Sequence, residues 1–279
     1  MSLSRRFFLQ TLAAAGALSC LPQLPAEDDH TGLFPAGPNF HTSSAASVMV
    51  SGGTIAPTGQ LTPAVRAAHK KLYGQERHLL LVLHASLPAD RDRVEKQLQR
   101  LLAPDGFTAE SLHHYQGAAA RRALENASAL FFGGGETFLL LRTLIETRQL
   151  AVVRECVLRG TPYHGTSAGA NVAGPNIGCT NDFPIVDVPT RNSLGIFPGI
   201  INPHHPPAGD RDHAGRANKV RGYLRANPAE TVLGLGNGAI AWVHQRKVEL
   251  VQGPAFLYRA SGSQELTTGD IAPLTAMAV

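Results

Sequence analysis

A chain of 279 residues can build one large domain or two small ones around a buried core, and 43% hydrophobic with 16% charged residues excludes general disorder. The formal charge of +4 is weak evidence for nucleic acid, because Arg5 and Arg6 supply two of those charges and no basic run carries interleaved aromatics. Three cysteines (Cys20, Cys156 and Cys179) make no disulfide framework and show no metal-ligand spacing.

Residues 4–10 read Ser-Arg-Arg-Phe-Phe-Leu-Gln, followed by a mild apolar stretch from Leu12 to Leu18 and then by Pro22 and Pro25. Paired arginines ahead of a weakly apolar segment are the pattern of a twin-arginine export signal, here over 1–26. The expected consequence is passage through the Tat export machinery to a periplasmic or exported location in a bacterium. The apolar stretch is too short to span a bilayer, so no stable membrane anchor is expected. Residues 27–44 are polar and rich in small residues and read as a linker.

From residue 45 to about 273 the pattern is α/β. The apolar run Ser47–Gly53 predicts a buried strand, Thr62 caps a helix to about Tyr73, and Leu79–Leu83 predicts a parallel strand covered on both faces. A helix fits 89–102, a strand 108–113 and a helix 117–126. Ala129–Gly135 is a strand running into glycines, followed by helices over 137–147 and 149–159. A further strand ends at Tyr163–Gly165, and another apolar strand contains Ile200 and Ile201. Short β-α repeats of this kind predict a doubly wound, mostly parallel sheet. Three antiparallel strands are expected after residue 232, over 239–243, 248–251 and 255–258.

The chemistry-bearing residues lie between 133 and 238. Gly165-Thr-Ser-Ala-Gly169 matches G-x-S-x-G, in which small neighbours let a serine sit on a sharp strand-to-helix turn with its hydroxyl exposed. That places Ser167 at the carboxyl edge of the sheet, with the amide of Ala168 at the start of the following helix. Gly133-Gly134-Gly135 also follows a strand, on the same edge, where a glycine amide can face a developing oxyanion. Neither G-K-[ST] nor G-x-G-x-x-G is present, so a phosphate loop is disfavoured. Asn202-Pro-His-His-Pro206 ends the strand at Ile200–Ile201, and a histidine there is placed to act as general base for Ser167. Asp210, Asp212 and His213 follow, which leaves a metal-binding loop as an alternative at this point, although the i, i+4 spacing of H-E-x-x-H is absent.

Five segments in one order carry a resemblance: Phe132-Gly-Gly-Gly-Glu-Thr-Phe-Leu-Leu140, Gly165-Thr-Ser-Ala-Gly-Ala-Asn-Val172, Thr180-Asn-Asp-Phe-Pro-Ile185, Ile201-Asn-Pro-His204 and Val232-Leu-Gly-Leu235. Together they resemble the dipeptidase E family of serine peptidases, the aspartyl dipeptidases, whose wider clan includes cyanophycinase. The resemblance implies a flavodoxin-like domain related to class I glutamine amidotransferases. It implies Ser167 as nucleophile, His204 as base and Asp182 in the charge relay. Gly135 and Ala168 would be the oxyanion donors, and Arg216 would grip an N-terminal aspartate side chain. Two positions depart from the family pattern. Asn237 stands where the family has a glutamate that orients the histidine, and its amide oxygen can accept the imidazole N–H, so Asp182 and Asn237 are both candidates to orient His204; Glu136 stands where the family has asparagine, beside the oxyanion site. Glu136 is thereby a candidate partner for a substrate amine.

The expected function is hydrolysis of small peptides, dipeptides with N-terminal aspartate foremost, with no metal or organic cofactor and no nucleic-acid partner. A cyanophycinase-like exopeptidase and a catalytically weak binding protein on the same scaffold are the alternatives.

Overall fold

β1 (Ser47–Ser51) has Val48, Met49 and Val50 wholly buried, which is why its apolar residues run on without alternating. It pairs in parallel with β5 (Tyr163–Thr166), which pairs in turn with β4 (Leu130–Phe132). Beyond β4 lie β2 (His78–Val82) and, at the edge, β3 (Thr108–Ser111), both parallel as well. The crossovers carry α1 (Pro63–Tyr73), α2 (Arg91–Leu102), α3 (Gly117–Glu125), α4 (Thr137–Glu146) and α5 (Gln149–Arg159). At the start of α1, the side chain of Thr62 accepts the N–H of Val65 at 3.3 Å, satisfying one of the amides that a helix N-terminus leaves unpaired. These elements belong to a computed structural model that describes residues 40–41 and 43–278. The expected export signal over 1–26, and all of the 27–44 linker except Phe40, His41, Ser43 and Ser44, lie outside the described residues.

The C-terminal strands divide between two sheets. β8 (Ile240–His244) runs antiparallel against β1, and β9 (Lys247–Gln252) and β12 (Gly269–Asp270) extend that sheet to eight strands. The strand containing Ile200 and Ile201, β6 (Ile200–Asn202), leaves the main sheet. It pairs in parallel with β7 (Val232–Leu235), and β10 (Ala255–Arg259) and β11 (Gly262–Leu266) complete a separate four-stranded sheet. α7 (His213–Ala226) covers this second sheet, packing Ala217, Val220 and Leu224 against Val232, Phe256 and Tyr258. The fold is the expected class I glutamine amidotransferase-like α/β fold, with its antiparallel extension shared between the sheets.

The end of β3 and the start of α2 each differ from the sequence reading by a 3₁₀ turn. β3 stops at Ser111, and Leu112–His114 form a single 3₁₀ turn where two more strand residues were expected. The helix expected from residue 89 begins at Arg91, after a 3₁₀ turn over Pro88–Asp90. Among the described residues no helix is long and apolar enough to cross a membrane.

Candidate active site

The carboxyl ends of β1, β4 and β5 lie on one edge of the main sheet, and each breaks into small residues there. After β5 the chain turns at Ser167, which has φ +53° and ψ −112°, straight into the six-residue helix α6 (Ala168–Ala173). A side chain rarely adopts that conformation, and it persists only where the surroundings enforce it. Here the enforcement is close packing. A Cβ at Gly165 would fall 2.3 Å from the carbonyl oxygen of Gly169, and one at Gly169 would fall 2.4 Å from that of Phe132. The Tyr163 hydroxyl donates to Gly169 O at 2.6 Å, and the Ser167 amide donates to Ser51 O at 3.1 Å. The two glycines of G-x-S-x-G are therefore required by contact.

His204 also has a positive φ, +52°, immediately after β6 and Pro203. Its amide donates to Gly52 O at 2.8 Å, which ties the tip of the second sheet to the end of β1. Its Nε2 lies 2.9 Å from Ser167 Oγ, and its Nδ1 lies 2.6 Å from Asn237 Oδ1. The amide oxygen of Asn237 can only accept, so Nδ1 carries the proton and Nε2 turns its lone pair to the serine hydroxyl. The Gly238 amide, next to Asn237, donates to Gly53 O at 2.8 Å.

Asp182, expected in the charge relay, is not a partner of the imidazole. Its Oδ2 accepts from the amide of Thr137 at 2.8 Å and from the Thr137 hydroxyl, at the N-terminus of α4. Asn171 and Thr180 join the same group of hydrogen bonds through Thr137 Oγ1. Of the two expected candidates, Asn237 is the one that meets the imidazole, and the carboxylate of Asp182 caps a helix instead.

Gly134 packs on the serine: a Cβ there would lie 3.2 Å from Ser167 Cβ. Gly135 follows with φ +134°, and no protein acceptor takes its amide or that of Ala168 among the described residues. Glu136 comes next, before the first turn of α4. Burial first and Asp182 second hold its carboxyl above the ordinary glutamate value of 4.5. Arg216 projects from α7, and its Nη1 reaches Pro203 O at 3.1 Å, Asn202 Oδ1 at 3.3 Å and His204 O at 3.4 Å. It therefore braces the histidine turn, and among the described residues Nε and Nη2 make no hydrogen bond.

The other histidines of the loop turn elsewhere. His205 Nδ1–H donates to Pro206 O at 2.9 Å, and its Nε2 accepts from the Tyr258 hydroxyl at 2.9 Å. Burial pushes this ring down to about 4, so it stays neutral. His213 Nδ1 also meets Pro206 O, at 2.9 Å. Among the described residues, neither ring makes a hydrogen bond to the side chain of Asp210 or Asp212.

The sequence reading overlooked Ser51, Gly52 and Gly53. Their three carbonyls hold the backbones of Ser167, His204 and Gly238 respectively. A Cβ at Gly53, whose φ is +104°, would fall 2.1 Å from His204 Cε1, so a side chain there would displace the ring. The signal was present as a pair of glycines ending an apolar strand.

The profile of Peptidase family S51 matches residues 48–251. The chain is 40% identical over 191 residues to a protein named "Probable alpha-aspartyl dipeptidase" from Drosophila melanogaster, covering 66% of this chain and 76% of that one. It is 38% identical over 163 residues to Peptidase E of Haemophilus influenzae, covering 58% and 74%. Among solved structures it resembles a peptidase from an acI-B1 Actinobacterium, with a TM-score of 0.53 and 18% identity over 79% of this chain and 97% of that one.

Proposed function

Because the chain belongs to peptidase family S51 and is a serine peptidase, we propose that it hydrolyses small peptides, dipeptides with an N-terminal aspartate first among them, through Ser167 and His204. The observation that carries this reading is the 2.9 Å contact between Ser167 Oγ and His204 Nε2 at a strained, half-buried turn. Ser167 Oγ attacks the scissile carbonyl carbon as its proton passes to His204 Nε2. The carbonyl oxygen becomes an oxyanion that takes the amides of Gly135 and Ala168. On collapse the C–N bond breaks, and His204 returns the proton to the leaving amine. Water then attacks the acyl-serine, with His204 again the base, and releases the acid. Asn237 keeps the imidazole in the reactive tautomer throughout.

Selectivity for an acidic N-terminal residue is assigned to Arg216, whose Nε and Nη2 can meet a carboxylate side by side. Glu136 is assigned the substrate's ammonium group. A dipeptide-library assay tests the whole reading: Asp-X substrates are turned over by the wild type, and Ser167→Ala abolishes both turnover and labelling by a fluorophosphonate probe. Unchanged turnover in Ser167→Ala would overturn it. Asn237 in place of an acid favours one second reading, a binding protein with little turnover. That reading predicts saturable Asp-X binding by a wild type that no fluorophosphonate labels. The paired Arg5 and Arg6 support export of the folded chain. Arg5→Lys with Arg6→Lys is expected to hold the protein in the cytoplasm, and unchanged export would rule the signal out.

A further inference from the structure

Outside the serine–histidine–asparagine chain, four metal-ligating side chains converge where α2 passes the end of edge strand β3. Asp92 and Glu95 stand three residues apart on α2, a spacing that puts them on one face. His113 and His114 form part of the 3₁₀ turn that follows β3. His113 Nε2 lies 2.8 Å from Asp92 Oδ1, and His114 Nε2 lies 2.6 Å from Glu95 Oε2. One ligand atom from each of the four residues lies within 4.8 Å of all the others. We propose that Asp92, Glu95, His113 and His114 bind one divalent transition-metal ion, zinc foremost.

The donor set selects the class of ion. Two imidazole nitrogens and two carboxylate oxygens suit zinc and its neighbours in a tetrahedral arrangement. Calcium and magnesium prefer all-oxygen shells and are disfavoured by the paired imidazoles. The surroundings orient the donors as a metal site requires. Glu95 is buried, with 7% of its surface exposed, and its other oxygen, Oε1, accepts the Ser111 amide at 2.8 Å. That fixes Oε2 toward the cluster. Ser111 Oγ donates to Leu81 O at 3.3 Å, so its lone pairs receive Nδ1–H of His113 at 2.6 Å. With Nδ1 engaged there, His113 turns Nε2 to the cluster, the arrangement that hydrogen-bonded partners behind metal-binding histidines impose. The two imidazole rings lie against each other with centroids 4.1 Å apart.

An ion held there ties the start of α2 to the turn leaving β3, and so fastens the exposed edge of the main sheet. Its role is structural, and none of its ligands belongs to the proposed catalytic machinery. A proton on each imidazole would satisfy the same two histidine–carboxylate contacts, and the experiment separates the two possibilities. The full chain is stripped with a chelator and titrated calorimetrically with zinc chloride at neutral pH. Cobalt(II) absorption reports the coordination geometry. One equivalent of zinc is expected to bind, with a tetrahedral cobalt spectrum. His114→Ala, Asp92→Asn and Ser111→Ala are each expected to weaken binding at least about tenfold. Zinc should raise the melting temperature of the wild type and leave that of His114→Ala unmoved. Asp92 and His114 are solvent-facing, so their substitution spares the core. The proposal is overturned if the wild type takes up no stoichiometric zinc, or if His114→Ala and Asp92→Asn bind it as the wild type does.

Discussion

His204 Nδ1 lies 2.6 Å from Asn237 Oδ1, so the imidazole beside Ser167 is steered by an amide and not by a carboxylate. An amide selects the tautomer as well as an acid does, but offers no negative charge to the imidazolium that the proposed attack would form. In a Ser-His-Asp triad, Asp→Asn costs about 10⁴ in turnover, mostly through the wrong tautomer. Here tautomer and geometry are already in place, so the missing term is charge alone. Asn237→Asp is expected to raise kcat by at least about tenfold. Asn237→Ala should lower kcat. Steady-state kinetics on one Asp-X substrate reads both, and an Asn237→Asp enzyme slower than wild type would contradict the account.

Gly53 sits against the other side of the same ring. Any Cβ at this position would overlap His204 Cε1 and would also have to adopt φ +104°. Gly53→Ala must therefore push the imidazole off the serine, and a displacement near 1 Å costs about a hundredfold in rate. The expected result is a kcat lowered by about that factor, with the fluorophosphonate rate lowered in parallel and the near-UV circular dichroism kept. A wild-type rate in Gly53→Ala would show that the ring is not held by this contact.

Asp182 gives a contrasting case. Its contacts are with Thr137 at the start of α4, so its removal should act first on stability. Asp182→Ala is expected to cost on the order of 1 kcal/mol in denaturant unfolding, the scale of losing a helix N-cap. Its kcat should fall less than that of Asn237→Ala. A larger loss of kcat than in Asn237→Ala, at unchanged stability, would restore Asp182 to the relay.

These contrasts show which features the sequence discloses. The turn at Ser167 was legible because Gly165, Ser167 and Gly169 report a local steric requirement, met within five residues of chain. The parallel strands were legible because burial on both faces removes polar alternation, as in Leu79–Leu83. Partner choice among distant residues was not. Asp182 and Asn237 were equally available to His204 on chemical grounds. What decides between them is the placement of β7 and its following turn beside β1, a contact between distant parts of the chain that leaves no local pattern. The departure of β6 and β7 into a second sheet was hidden for the same reason, since Ile200–Asn202 and Val232–Leu235 read as buried strands in either sheet. The cluster of Asp92, Glu95, His113 and His114 needs the pairing of β2 with β3 to bring its halves together, and nothing in either half announces the other.

Buried histidines set the acid sensitivity of the fold. Under the serine turn, Ser51 Oγ meets His164 Nε2 at 3.0 Å, and His164 Nδ1 meets His69 Nε2 at 2.9 Å. Burial pushes His69 down to about 4, and burial with His69 beside it pushes His164 well below the ordinary value of 6.5. His84, also buried, is pushed down to about 4. Each folded value is depressed below the unfolded one, so between 6.5 and 4 the unfolded chain binds protons that the native state refuses. The stability tied to these rings is fully present above 6.5 and falls as pH drops through that window. The slope approaches about 1.4 kcal/mol per pH unit for each fully excluded proton. Urea unfolding at steps from about pH 7.5 to pH 4.5 should show midpoints falling steadily below 6.5. His69→Gln can keep a hydrogen bond to His164 while removing one titrating ring, and its profile is expected to be shallower than the wild type's by up to that slope. A wild-type midpoint that stays level across the window would mean that these rings accept protons in place, and that His164 and His69 are not sealed beneath the serine turn.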